Sequence, residues 1–313
     1  MAAPDPSSRS FSAPLHGWLI LDKPLGLSSS RAVAIVRRAL DAAKAGHGGT
    51  LDPLATGVLP IALGEATKTV AYAMGSRKTY RFTLRWGEAR TTDDAEGEVI
   101  ATSAARPSRE QILAVLPAFG GAIMQRPPDF SAIKLAGERA YDLARAGAPR
   151  DLAPRPVEIA RLTLLAMPDP EHAEFEAEVG KGTYIRALGR DLGLALGCYA
   201  HVGALRRLAV GRFALDAAIS LAKLEALGHS PAASGHLLPI ETALDDIPAL
   251  ALSGEEAEAL RRGRVVTPLR PSDRARIDLL GDGATIRATS DGRLVALAAI
   301  DKGLIRPVRV MNF

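Results

Sequence analysis

Residues 45–60 read AGHGGTLDPLATGVLP and set four glycines, Gly46, Gly48, Gly49 and Gly57, around one carboxylate, Asp52, with Pro53 directly after it. This stretch restricts the fold more than any other. Glycine reaches backbone conformations closed to other residues and lets a second backbone come close, while proline drives the residue before it toward extended geometry. An Asp-Pro pair is a common turn starter, so Asp52 taken alone reads as a turn residue. The apolar run VLPIALG (58–64) that follows is a buried strand. Ahead of the glycines, SSSRAVAIVRRALDAA (28–43) is a helix with a Ser cap and with Val33, Val36 and Leu40 at helical spacing. The glycine stretch must therefore turn tightly between a helix and a core strand.

A glycine-rich loop first suggests a nucleotide. Neither G-x-x-x-x-G-K-[ST] nor a strand followed by G-x-G-x-x-G and a helix occurs here, which excludes both common phosphate-binding loops. There is no G-x-S-x-G elbow for a serine nucleophile, and Cys198, the only cysteine, lies in an apolar context. A lone cysteine also excludes a disulfide framework or a thiolate cluster. The histidines at 16, 47, 172, 201, 229 and 236 show no ligand spacing, so no metal is expected. No apolar run approaches the roughly 18 to 20 residues that span a bilayer, and MAAPDPSSRSFSAPLHG lacks the apolar centre of a secretory signal. A cytoplasmic protein without a membrane partner is expected. Arginine supplies 31 of the 39 cationic residues, a bias toward forked phosphate contacts that points to nucleic acid.

Along the chain, GWLILDKP (17–24) is a short strand, EATKTVAYAMG (65–75) a helix, and KTYRFTLRWG (78–87) an alternating strand. EARTTDDAEGEVI (88–100) is a polar, acidic loop or hairpin, and SREQILAVLPAF (108–119) a helix. RPVEIARLTLLAM (155–167) and EHAEFEAEVGKGTYIRALGRDLGLALGC (171–198) give two strands and then a helix from about Tyr184. HVGALRRLAVGRFALDAAIS (201–220) returns as loop and strand. From about residue 245 a small helix leads into short strands with Asp-Gly and Lys-Gly turns. Strands and helices alternate without a βαβ rhythm, which predicts an α+β fold with a mixed, mainly antiparallel central sheet, flanking helices and a small C-terminal β-rich module.

Among reactive groups, Asp93, Asp94 and Glu96 offer a second acid for a two-carboxylate hydrolase, but their hydrophilic turn reads as a solvated face. What remains is Asp52 acting alone as a covalent catalyst. Tyr80 on its strand near Arg81 and Arg85, Tyr184 beside Arg186 at a strand-to-helix junction, His47 inside the glycine loop, and the arginines of LRRLAVGR (205–212) suit a flipped aromatic base. Each of them, taken singly, also has an ordinary structural reading.

Together the segments GWLILDKPLGLSS, GHGGTLDPLATGVLPIALGEATK, KTYRF, PPDFSAIKLAGERAYDLAR, KGTYIRALGRDLG and HVGALRRLAVG resemble the bacterial tRNA pseudouridine-55 synthases, the TruB family. The resemblance runs from about residue 15 to 220, and the tail from about 245 looks like the family's small PUA-like RNA-binding module. It implies a pseudouridine synthase fold with a flexible tail over 1–14, a catalytic domain over 15–244 carrying an RNA-gripping insertion at about 125–153, and the PUA-like module over 245–313.

The implied activity is isomerisation of uridine 55 in the T-arm loop of tRNA, without cofactor or metal, by a monomer needing no protein partner. Asp52 matches the family's essential aspartate, and Arg186 the arginine that pairs with it. His47 matches the residue that fills the space left in the loop's base stack, Tyr80 the tyrosine stacked on the target base, and Tyr184 and Leu205 residues lining the uridine pocket. Lys23 and Lys68 belong to the flanking motifs, and with Arg206 and Arg207 are expected on RNA phosphates. Phe130 stands where many members carry Tyr, so a hydroxyl contact there is absent. Two other readings stay open: a guide-RNA-dependent relative, and a non-catalytic RNA-binding or RNA-folding protein on the same scaffold.

Overall fold

The computed structural model describes residues 15–131, 133–135, 138, 139, 141, 152–228, 230–268 and 270–313. The tail expected over 1–14, and residues 132, 136, 137, 140 and 142–151 of the insertion expected at about 125–153, lie outside the described residues. Two strands near the start, β1 (Gly17–Lys23) and β3 (Ala55–Leu63), are apolar at almost every position. That continuity follows from burial on both faces. Leu19, Leu21, Leu59 and Ile61 enter the main core with Phe82, Trp86 and Phe175. Trp18, Ile20, Val58 and Ala62 point the other way, into a second core with Phe213. Between the two strands come α1 (Ser29–Ala39), capped by the Ser28 hydroxyl, and the three-residue β2 (Ala45–His47), which pairs with β3.

The next strands alternate because only one of their faces is fully covered. β4 (Lys78–Trp86) buries Phe82, Leu84 and Trp86 and turns Arg81 outward. β5 (Glu88–Arg90) and β6 (Val99–Thr102) form a separate hairpin. β7 (Gly121–Gln125), β8 (Arg155–Asp169) and β9 (His172–Val179) complete one side of the main sheet, and α2 (Ile185–Ala195) leads to β10 (Ala200–Val210). The order is Ile219–Ser220, β1, β3, β10, β4, β9, β8, β7. Two of these neighbouring pairs are parallel, Ile219–Ser220 with β1 and β10 with β3; the other five are antiparallel. The expected mixed, mainly antiparallel sheet with flanking helices is the observed one.

A second, four-stranded sheet follows: β11 (Ala249–Ala251), β12 (Thr285–Ser290), β13 (Arg293–Asp301) and β14 (Leu304–Val310). It has its own core, built with α3 (Gly254–Arg261), whose Ser253 and Glu256 form a capping box. A further helix, α4 (Pro271–Leu280), has no counterpart in the sequence reading; it buries only Ile277 and so carries no apolar stripe to betray it. Leu294, Leu297 and Met311 of this module join the second core, behind β1 and β3.

The parallel pairing of β3 with β10 sets Gly57 against Arg207. Gly57 has φ +97°, and a Cβ there would stand 2.2 Å from the Arg207 carbonyl oxygen. Both the left-handed backbone and the close approach demand glycine. Gly57→Ala is expected to lose roughly 3 kcal/mol or more of stability, read from urea unfolding midpoints. A variant within about 1 kcal/mol of the parent would show that the two strands separate without cost.

Candidate active site

The loop that carries Asp52 is held at every neighbouring residue. The buried Arg207 guanidinium donates from Nε to Val58 O at 2.7 Å, from Nη2 to Gly49 O at 3.0 Å and from Nη1 to Thr50 O at 3.2 Å. Ser29, in the first turn of α1, both donates to Leu51 O at 2.9 Å and accepts from Leu51 N at 2.8 Å. Pro53 O accepts from Gly26 N at 2.9 Å and from Lys23 Nζ at 3.3 Å. The Asp52 side chain, 37% exposed, is thereby presented at the surface of a fixed backbone.

Arg186, the second residue of α2, is buried against it. Its Nε donates to Asp52 Oδ2 at 2.9 Å and lies 3.5 Å from Asp94 Oδ2. Its Nη1 donates to Thr92 O and its Nη2 to Phe130 O, each at 2.9 Å. A cation in the first turn opposes the helix dipole; the two carboxylates and two carbonyls supply the compensation that a buried guanidinium needs.

Tyr184 caps α2 and is fixed by a clamp that no motif announced. Gln125, at the end of β7, accepts from Tyr184 N at 2.8 Å and donates to Tyr184 O at 3.1 Å. Burial raises the Tyr184 phenol above its ordinary range, with the neighbouring Ser131 hydroxyl and Arg186 opposing. Tyr80 shares a face of β4 with Phe82, and Leu205 pairs across the sheet with both Ala55 and Phe82. His47 lies on β2, with its Nδ1 buried and without a hydrogen bond. Burial, then the Arg207 charge, lower its pKa, which keeps the imidazole neutral at neutral pH. The fold thus joins Asp52 to Arg186 directly and brings Tyr184 within reach of the Asp52 charge.

Two expectations need correction. The acidic turn is a solvated face at Glu96 but not at Asp93 or Asp94. Val202 N bonds Asp93 O, and Ala95 N bonds Val202 O, which folds the β5–β6 hairpin down onto β10. Asp94 is buried beside Arg186, and Asp93 is paired with Arg190 at 2.9 Å. Asp93 adopts φ +59°, which Asp tolerates at a tight turn. The expectation of phosphate contacts is corrected at Lys23 and Arg207 alone. Arg207 and Lys23 are buried, and their N–H groups go to backbone carbonyls; Lys23 Nζ bonds Pro24 O, Leu27 O and Pro53 O and so has no donor left. Burial pulls its pKa down to about 8, against the opposing Asp52 and Glu96 charges. Lys68 bonds Glu65 and Val310 O, tying the C-terminal module to the main sheet. Arg206, partly exposed, pairs with Asp22 at 2.8 Å. Among the described residues no cluster of His, Cys, Asp and Glu is arranged to hold a metal ion.

Known proteins resemble the chain along nearly all of its length. Residues 37–185 match the TruB family pseudouridylate synthase N-terminal domain, and residues 186–245 the tRNA pseudouridylate synthase B C-terminal domain. A protein of Bradyrhizobium diazoefficiens named tRNA pseudouridine synthase B is 57% identical over 304 residues, covering 95% of this chain and 86% of its own. One of the same name from Rhodospirillum rubrum is 53% identical over 298 residues, covering 95% and 97%. Among solved structures, a Cbf5–Nop10–Gar1 complex contains a chain that superposes with TM-score 0.72 at 26% identity, over 95% of this chain and 84% of that one. The chain belongs to the TruB family of pseudouridylate synthases.

Asp93 supplies a test of the hairpin. Burial pushes its carboxyl up to about 6 from 3.8, outweighing Arg190 and Arg186. The folded state therefore holds the proton more tightly than the unfolded chain. That contribution to stability is complete below pH 3.8 and disappears as pH rises through about 6. Asp93→Asn abolishes the titration, so its stability relative to the parent should climb by roughly 2–3 kcal/mol from pH 4 to pH 7. Urea unfolding at intervals across that range would measure it; parallel profiles would mean a solvated carboxylate after all.

Proposed function

We propose that the protein is a stand-alone tRNA pseudouridine synthase that isomerises uridine 55 in the T-arm loop, with Asp52 as the catalytic group. The observation that carries this reading is the Asp52–Arg186 pair, 2.9 Å apart, on a loop whose backbone is fixed on both sides. Membership of the TruB family and relatives named tRNA pseudouridine synthase B support the substrate class.

The reaction breaks the C1′–N1 bond, turns the uracil and joins C1′ to C5. Atoms and electrons balance within the nucleoside, so neither a redox cofactor nor a second substrate is required. A glycosidase needs a second carboxyl group to activate water. An isomerase must retain the freed base instead, and one carboxylate in an aromatic and apolar pocket serves that end. Asp52 meets the chemistry by attack at C1′, by removal of the C2′ proton or by addition at C6, and each route uses the same single carboxylate. Tyr80 stacks on the base, and Tyr184 and Leu205 line its pocket. The uridine must leave its stack at a cost of a few kcal/mol; the neutral ring of His47 takes the vacated space and offsets part of that cost. No protein partner is required in this reading, the protein works as a monomer, and the compartment is the cytoplasm.

Asp52→Asn should retain tRNA binding and lose turnover by more than about 1,000-fold. Tritium release from tRNA labelled at uridine C5, together with mass spectrometry of cyanoethylated tRNA to locate the product, would measure both. Substantial release by Asp52→Asn, or product at another position, would sink the assignment.

A further inference from the structure

With Lys23, Lys68 and Arg207 committed to the protein's own carbonyls and carboxylates, and Arg206 paired with Asp22, further contacts to RNA phosphates must lie elsewhere. Three exposed arginines are also engaged: Arg77, just before β4, pairs with Glu158 and Glu178, and Arg81 of β4 and Arg161 of β8 both pair with Glu176. Two cations near the site differ from all of these. Arg155, the first residue of β8, and Lys181, in the turn after β9, are exposed, and their side chains have no hydrogen bond or ion pair among the described residues.

Their placement is fixed by the sheet. Arg155 lies directly opposite Gln125 in the antiparallel β8–β7 register. Directly opposed residues project from the same face, and the Gln125 side chain reaches from that face to clamp Tyr184. Arg155 therefore emerges on the face that carries Tyr184, near enough for Tyr184 to feel its charge. The turn holding Lys181 is pinned to the same strand: Gly180 N donates to Glu158 O at 2.8 Å and Thr183 Oγ1 to the same oxygen at 3.3 Å. Lys181 thus sits three residues ahead of Tyr184 on a backbone anchored three residues along from Arg155.

We propose that Arg155 and Lys181 are the phosphate contacts that seat the RNA backbone at the Tyr184 rim of the pocket. Such contacts set the position of the chain and carry no sequence information. The proposal rests on tRNA being the substrate.

The test is tRNA binding by fluorescence anisotropy across a range of salt concentrations. Arg155→Gln and Lys181→Gln should each lower the slope of log affinity against log salt by about 0.7–0.9, and the double variant by about twice that. Arg155→Lys should keep the parent slope, since only the charge is needed, and Arg81→Gln should leave it unchanged. Wild-type slopes in both Gln variants would overturn the proposal while leaving the tRNA assignment intact, as would weaker binding without a change of slope. Failure of the wild-type protein to bind tRNA would overturn both readings.

Discussion

A guanidinium removed from water has five N–H groups to satisfy and a charge to balance. Arg186 meets that demand with Asp52, Thr92 O, Asp94 and Phe130 O, which come from separated points in the chain. The glycine loop, the acidic hairpin and the segment after β7 converge because each delivers an acceptor to one side chain. Removing the arginine would leave Asp94 buried without its cation, the costlier half of breaking an ion pair. The pair with Asp52 is asymmetric: Arg186 is 6% exposed and Asp52 37%. The cation belongs to the framework, and the carboxylate faces outward from it.

That outward carboxylate is useful only if its backbone stays still, and the loop's geometry makes ordering it costly. Three side chains from three elements hold it in place. Arg207 from β10 fixes residues 49 and 50, Ser29 from α1 fixes 51, and Lys23 from β1 fixes 53. None of these touches the Asp52 carboxylate by hydrogen bond. The parallel β3–β10 pair makes the arrangement possible by placing Arg207 against the strand that the loop enters. Support of this kind, from rigid elements around a reactive group, lets a small loop keep its geometry without help from a ligand.

Much of this was legible in the chain. The alternation of β4, the burial of β3 and the helix beginning after Tyr184 follow from the sequence pattern, and the pairing of Asp52 with Arg186 from the family motifs. Asp94 and Gln125 were not legible. A polar residue declares its partner only through the fold, and the hairpin's bonds to Val202, which bury Asp94, span more than a hundred residues of sequence. Lys23 and Arg207 misled for a related reason. Lysine and arginine near a reactive loop look alike in sequence whether their donors meet phosphate or backbone, and burial decides which. The helix over 271–280 escaped because a segment with one buried residue leaves no periodic trace.

The division among the cations has an electrostatic reason. In the proposed function the site offers a carboxylate to a polyanion and works against repulsion, and any cation placed beside that carboxylate does two things at once. It offsets the local charge, and it is drawn into the ion pair and lost to the ligand. Arg186 accepts that exchange in full, and Lys23 in part: buried, with its pKa near 8, it is held by three carbonyls while Asp52 favours its charged form. His47 avoids the exchange. Burial and the neighbouring Arg207 both disfavour its protonation, so the ring stays uncharged and flat beside a charged loop. A protonated imidazole would have to keep or regain its water shell before stacking among bases, whereas a neutral one has far less to lose on entering them. The buried arginine that fastens the glycine loop therefore adds to the effect of burial in keeping His47 in the charge state that suits the role proposed for it.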